Sequence, residues 1–298
     1  MTRREISDEV WAVLEPMLPA GKTPGRPWTD HRGALEGMVW KYRTGAPWRD
    51  VPERFGKWNS IYKRFNRWAA DGTWEGLLAE VHKFADAAGE VEWVVAIDST
   101  IARVHQHGAT LTRGTGAEWN HKNPSWWEPP DHGIGRSRGG LTCKVHLVAD
   151  GKGRPLSWAV TAGNINDTTM LSTVLDGIRV PRVGPGRPRT RPDRVLADKG
   201  YPSKANRAWL RARGIAATIP EREDQIGHRR KRPGRPIDFG AEQQQRYRAR
   251  NVVERCFNKL KQWRGIAMRT DKLARNYRAA IALAATLIWL RSTLINTA

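Results

Sequence analysis

The chain has 298 residues, 39% of them hydrophobic and 15 of them Trp, enough to build a sizeable core, which excludes a disulfide-stapled miniprotein and an intrinsically disordered chain. Lys and Arg number 51 against 30 Asp and Glu, a net charge of +21, and Arg outnumbers Lys by 37 to 14. A guanidinium grips phosphate with a bidentate fork, so this excess points to nucleic acid as the partner.

Residues 1–88 read as short helices joined by turns. Ser7 caps a first helix carrying Val10, Trp11, Leu14 and Met17, ended by Pro19 and a Gly/Pro loop over 21–27. Thr29 or Asp30 starts a second, with Leu35, Met38, Val39 and Tyr42 on one side, and Gly45 and Pro47 break it. A short helical turn over 50–55 and Gly56 lead into Lys57–Ala70, where Trp58, Ile61, Tyr62, Phe65 and Trp68 recur at helical spacing. The other face carries Ser60, Lys63, Arg64 and Arg67. A turn followed by a helix with free donors has the form of a helix-turn-helix recognition helix, with Ser60, Lys63 and Arg67 towards the major groove. The alternative is an amphipathic helix with a solvated basic face.

Beyond residue 90 strands alternate with helices. Glu92–Ile97 predicts a strand ending at Asp98, and Leu141–Ala149 with Leu156–Thr161 predicts a hairpin around Asp150-Gly151-Lys152-Gly153. Asp167 is expected to cap a helix through Ile178, a Pro/Gly/Arg loop covers 181–192, and Arg194–Ala197 is a strand ending at Asp198. A helix over Pro202–Arg213, a strand over Ile215–Ile219 and a polar stretch precede a long helix from Ala241 to Trp263. The order implies a mixed sheet covered by helices: an α/β domain over 89–298 after an all-α domain over 1–88. The most apolar run, Ala279–Leu290, is bracketed by Arg278 and Arg291 and falls short of the roughly 20 residues of a membrane span. The opening Met1-Thr2-Arg3-Arg4-Glu5 lacks a signal-peptide core, and Cys143 and Cys256 make no disulfide framework, so a cytoplasmic protein without membrane contact is expected.

Two strands that each end in aspartate are the first chemical clue, because ligands collect beyond the carboxyl ends of strands in such sheets. If the strands are neighbours, Asp98 and Asp198 repel unless one is protonated or a cation lies between them, and Mg²⁺ suits hard oxygen ligands. Strand-end aspartate is also an ordinary turn former. The second clue is Tyr247, Arg250, Glu254 and Lys261, which at about 100° per residue fall within an arc of about 60° on one helix. Val252, Val253, Cys256, Leu260 and Trp263 fall opposite. Arg250 and Lys261 suit phosphates, Tyr247 suits stacking or hydrogen bonding near the strand, and Glu254 completes a metal shell. A surface stripe of ion pairs is the plainer reading.

The spacing Tyr247-x2-Arg250-x3-Glu254-x6-Lys261 resembles the signature around the third acid of the DDE transposases of bacterial insertion sequences, in particular the IS-five type of the IS-four/IS-five superfamily. Ile97-Asp98-Ser99-Thr100 and Ala197-Asp198-Lys199-Gly200-Tyr201 resemble its first-acid and second-acid blocks, and residues 135–144, with Arg136, Arg138 and Lys144, a block between them. Trp48-Arg49-Asp50-Val51-Pro52 and the helix after it resemble the amino-terminal DNA-binding region. The resemblance implies a ribonuclease-H-like core in which Asp98, Asp198 and Glu254 bind two Mg²⁺ ions, with Mn²⁺ the alternative, and catalyse cleavage and strand transfer. It implies double-stranded DNA as partner, both terminal inverted repeats and target, a homodimer or higher multimer on that DNA, and a nucleoid-associated location. Arg136, Arg138, Lys144, Tyr247, Arg250 and Lys261 are expected to hold DNA near the metals. A nuclease of the same fold without strand transfer, and an inactive DNA-binding repressor, are the alternatives.

Weaker features remain. His105, His107, His121, His132 and His146 match no compact zinc spacing. The tetrapeptide Pro-Gly-Arg-Pro occurs at 24–27, 185–188 and 233–236. It is ordinary turn chemistry, or a rigid tip that pushes Arg26, Arg187 or Arg235 into a narrow minor groove. The run His228-Arg229-Arg230-Lys231-Arg232 tracks phosphates or is merely solvated.

Overall fold

A computed structural model describes residues 6–19, 30–110, 132–231, 233 and 239–295. Arg26, Arg235 and His121 lie outside these residues.

Helix α1 (Asp8–Leu14) starts at Ser7, whose hydroxyl accepts from the Val10 amide, and α2 (His31–Thr44) starts at Asp30, whose carboxylate accepts from the Arg32 and Gly33 amides. Both caps satisfy amides that a helix start leaves unpaired. Helix α2 ends at Gly45, where φ of +75° gives a left-handed cap that glycine adopts without strain. Two 3-10 turns, Trp48–Asp50 and Glu53–Phe55, lead into α3 (Trp58–Ala70) and α4 (Thr73–Ala87).

The sheet is built from β1 (Val94–Val104), β2 (Gly135–Ser137), β3 (Gly140–Ala149), β4 (Pro155–Ala162), β5 (Arg194–Leu196), β6 (Ala216–Thr218) and β7 (Met268–Arg269). Strand β1 is central: it pairs antiparallel with β3 and parallel with β5, β6 continues the parallel side, and β4 continues the antiparallel side. This is the mixed sheet of a ribonuclease-H-like core. After β4 come a 3-10 turn (Asp167–Met170) and α5 (Leu171–Asp176), after β5 comes α6 (Lys204–Ala212), and after β6 come α7 (Glu223–Arg230), α8 (Ala241–Arg248), α9 (Asn251–Lys261), α10 (Arg264–Ala267) and α11 (Ala274–Ile295).

Three expectations are corrected. Strand β1 does not stop at Asp98; it runs on to Val104 because β3 keeps pairing with it, Asp98 opposite Leu147 and Arg103 opposite Thr142. Asp167 does not cap the next helix, since Asn166 does so and frees the Asp167 carboxylate. The helix expected over 241–263 is two helices, broken at Ala249 and Arg250. The polar stretch before it contains α7.

The apolar run Ala279–Leu290 lies on α11, and every residue from Ala279 to Leu287 is buried. A helix apolar all round is covered on all sides, and α11 contacts α1, α2, α3 and α4 as well as β4 and α9. The helices of residues 6–88 and the sheet thus share one continuous apolar cluster. Where they meet, Tyr42 donates to Asp271 Oδ1 at 3.0 Å and Lys41 Nζ donates to Thr270 Oγ1 at 3.1 Å, all but Thr270 buried. Among the described residues no helix is long and apolar enough to cross a membrane.

Candidate active site

The register of β1 and β5 brings the two aspartates level. Val94 pairs with Arg194, Val95 with Val195 and Ala96 with Leu196, so continuing both chains two residues sets Asp98 beside Asp198 where the parallel pairing stops. Asp98 Oδ1 accepts the Ser99 amide at 2.8 Å, and Asp198 Oδ1 accepts the Gly200 amide at 2.7 Å. A Cβ at Gly200 would lie 2.8 Å from Asp198 Oδ1, so a side chain there would push the carboxylate aside. Burial raises the pKa of Asp98, and the Asp198 charge adds to this, while the Ser99 amide and the Arg250 guanidinium oppose it.

Arg250 sits at the break between α8 and α9, and the break aims it at the sheet. Nη1 donates to Asp98 Oδ2 at 3.0 Å and Nη2 to Glu254 Oε1 at 2.5 Å. One guanidinium therefore ties a carboxylate on the central strand to one on α9. Burial lowers the Arg250 pKa, but Tyr247, Asp98 and Glu254 outweigh it and the net shift is upward. Tyr247, the last aromatic of α8, has its ring centroid 5.7 Å from the guanidinium carbon. Lys261 is exposed at the end of α9, two turns beyond Glu254.

In this arrangement no three His, Cys, Asp or Glu side chains among the described residues are grouped to hold a metal ion. The donor set nevertheless fits a hard divalent cation: three carboxylates, two of them already sharing a bound positive charge in Arg250.

A cluster that the sequence pattern did not single out supports both aspartates. Asp167 accepts from Ser99 Oγ at 2.8 Å and from Lys144 Nζ at 3.0 Å, with His146 Nδ1 3.5 Å away. The next residue, Thr168, donates its hydroxyl to the Gly200 carbonyl, and Asn206 Nδ2 donates to the Thr168 and Tyr201 carbonyls at 2.9 and 3.1 Å. One short turn thus grips the neighbour of Asp98 and the loop after Asp198. The signal for it was faint: an Asn-Asp-Thr run that reads equally well as a helix cap. Burial lowers the His146 pKa to about 4, Lys144 adding to the effect and Asp167 opposing it, which keeps the ring neutral at neutral pH. Tyr201 is buried in the same wall, its hydroxyl pKa raised by burial and then by Asp167, Asp98 and Asp198.

Other expected residues are distributed differently. Lys144 is turned inward, held by Asp167 and by the Ile165 carbonyl at 2.7 Å, so it braces the wall and offers little to a ligand. Arg136 and Arg138 are exposed around the β2–β3 turn, at the Arg103 end of β1, an end about 16 Å along the strand from Asp98. On α3, Ser60, Lys63 and Arg67 are exposed on one face, but Arg64 is buried, its Nη1 3.4 Å from the Asp30 carbonyl and 3.5 Å from His31 Nδ1. Arg64 therefore leaves the DNA-facing set: its long side chain is needed to join α3 to the start of α2. Of the histidines, His105 and His107 lie with ring centroids 4.8 Å apart, and His132 and His146 are buried.

Two family models match the chain. Residues 6–78 match the family described as putative transposase of IS4/5 family, and residues 89–289 match the transposase DDE domain. The chain is 33% identical over 152 residues to a putative transposase for insertion sequence element IS6501 of Brucella ovis, covering 51% of this chain and all of that protein. It is 42% identical over 84 residues to a putative transposase for insertion sequence element IS402 of Burkholderia cepacia, covering 28% of this chain and 40% of the other. It is 37% identical over 112 residues to the uncharacterized protein y4sN of Sinorhizobium fredii, covering 37% of this chain and 86% of the other. No solved structure matches the chain. With the DDE domain covering most of its length, the chain belongs to the DDE transposases, enzymes that act on DNA, and its amino-terminal helices are of the IS4/5 type.

Proposed function

We propose that this transposase binds the terminal inverted repeats of its insertion sequence, cuts DNA there with the help of two Mg²⁺ ions, and joins the freed 3′ end to target DNA as a multimer. The observation that carries the reading is the level placement of Asp98 and Asp198 by the β1–β5 register, with Glu254 linked to Asp98 through Arg250. Asp98, Asp198 and Glu254 would hold the ions. When bound, they supply Lewis acidity to the phosphodiester and to the attacking hydroxyl.

The protein's own contribution is positioning and charge. The Ser99 and Gly200 amides orient the two aspartates by one oxygen each, and the second oxygen of Asp98 accepts from Arg250. Arg250 balances the charge of Asp98 and Glu254 through its two terminal nitrogens and keeps a cation beside the acids. Lys261, about 10 Å beyond Glu254 by helical rise, extends the cationic side along which a DNA strand can run. Ser60, Lys63 and Arg67 offer hydrogen-bond donors at a distance from the acids, suited to reading the repeat.

The test is nicking of terminal-repeat DNA in Mg²⁺ by wild type and by Asp98→Asn, Asp198→Asn and Glu254→Gln, with a chelator control. Nicking is expected to vanish in all three and in chelator; activity retained by a variant removes that residue from the set. A joining assay with a precut 3′ end decides between a transposase and a nuclease that only hydrolyses.

A further inference from the structure

Between α5 and β5 the chain makes a protruding hairpin that none of the chemistry above uses. Val180 and Arg189 pair as an antiparallel bridge, with both main-chain hydrogen bonds formed at 2.8 and 2.9 Å. The base is rigid. Val180 is buried, and the Arg189 guanidinium lies 3.8 Å from the Trp93 ring centroid and bonds Asp193 at 2.8 Å. The loop between them carries Pro181, Pro185 and Pro188, and its tip turns at Gly184 and Gly186, with φ of +89° and +143°.

Arg182 and Arg187 are exposed at this tip, and Val183 beside Arg182 is 61% exposed. Arg179, Arg191, Arg211 and Arg213 are exposed around the base, and a shallow groove lined by Thr190, Arg191, Trp209 and Arg213 continues the surface. Among the described residues Asp193 and Asp176 pair with Arg189 and Arg213, while no carboxylate pairs with Arg179, Arg182, Arg187 or Arg211. The surface lies off the start of β5, whereas Asp198 lies past its end; five residues of extended chain separate Asp193 from Asp198, about 16 Å.

We propose that this hairpin is a second DNA contact, which inserts Arg182 and Arg187 into the narrow minor groove of an A·T-rich duplex away from the bond being cut. Resting on the reading of the chain as a DNA-binding transposase, it adds a groove, a sequence class and two residues to it. A narrow A·T minor groove concentrates negative potential that draws in arginine, and an exposed valine beside Arg182 suits an apolar contact at a base step. Three prolines and a bridged base hold the tip in one shape before binding, so little ordering entropy is lost when it docks.

The experiment measures binding of the full chain to three duplexes of equal length by fluorescence anisotropy over a salt series. One is A·T-rich at a central tract, one G·C-rich, and one has inosine·cytosine pairs, which carry the minor groove of A·T and the major groove of G·C. Wild type is expected to bind the A·T and inosine duplexes alike and the G·C duplex several-fold more weakly. Arg182→Ala with Arg187→Ala should abolish that preference and reduce the salt slope by about 2. Arg182→Lys with Arg187→Lys should keep the slope and lose the preference. The proposal is overturned if the alanine pair leaves preference and slope unchanged, or if the inosine duplex behaves like G·C. If wild type bound none of the duplexes, the DNA-binding reading itself would fall; binding unaffected by the alanine pair removes the hairpin alone.

Discussion

Replacing Asp271 by alanine tests whether the amino-terminal helices and the catalytic sheet form one cooperative unit. Asp271 receives the Tyr42 hydroxyl at 3.0 Å, and its Oδ1 lies 4.0 Å from Lys41 Nζ, with side chains 5% and 2% exposed for Asp271 and Lys41. Burial lowers the Lys41 pKa and Asp271 opposes that shift. Without the carboxylate, Lys41 keeps Thr270 Oγ1 and the faces of the Tyr42 and Trp48 rings, 3.9 and 5.3 Å from their centroids. Losing a hydrogen bond to a charged acceptor costs about 1.5–3 kcal/mol, and removing one partner of a buried ion pair costs about 3–5 kcal/mol in all. Deprotonation of Lys41 limits the loss, so about 3 kcal/mol is expected, a large part of the roughly 5–15 kcal/mol of a native protein. The assay is urea unfolding followed by Trp fluorescence, since Trp40, Trp48, Trp68 and Trp74 report the helices and Trp93, Trp158 and Trp289 the sheet and α11. One transition shifted to lower urea is expected, and Lys41→Met with Asp271→Ala should cost less than the sum of the single changes. Two separate transitions, or a loss under about 1 kcal/mol, would refute the shared core.

Further predictions concern the wall of the site and the interior. Asp167→Ala removes the acceptor of Ser99 and Lys144 and should reduce single-turnover nicking by about 100-fold with little change in DNA affinity; Asp167→Asn, which keeps an acceptor, should recover part of it, and an unchanged rate would show that the turn does not position the aspartates. Arg154 is fully buried against Trp289 and held by Asp150, so Asp150→Ala should destabilise the fold by about 3–5 kcal/mol in the same urea assay, whereas a surface-like loss near zero would contradict the buried pair. His82 is buried beside the Pro155 carbonyl, and burial lowers its pKa to about 4. The unfolded chain then takes up a proton that the folded chain refuses between about pH 6.5 and 4, so stability falls by about 3 kcal/mol as pH drops through that window. His82→Leu should reduce that slope, leaving the part due to His146, and an unchanged slope would rule the His82 ring out as a source.

Much of the fold is legible in the sequence because its signals are local. The caps at Ser7 and Asp30, the apolar periodicity of α3 and the alternation of β3 and β4 each depend on neighbours a few residues away. The same locality put Arg250 and Glu254 on one side of a helix, although the break at Ala249 and Arg250 was not visible in the pattern. Spacing alone also could not tell which cations were free. Arg64 and Lys144 look like their exposed neighbours in sequence, yet contacts with Asp30, Ile165 and Asp167 draw them inward.

By itself the sequence determined the family and the strongly basic charge, since these follow from residue types and short spacings. Tertiary structure decided how those parts meet. The β1–β5 register sets Asp98 beside Asp198, a turn from residue 167 braces both, and α11 joins the helices to the sheet through contacts such as Tyr42 with Asp271. Partners so far apart in the chain leave no periodicity to read. Their pairing depends on which buried polar group is left to satisfy once the apolar faces have closed, and only the folded arrangement supplies that.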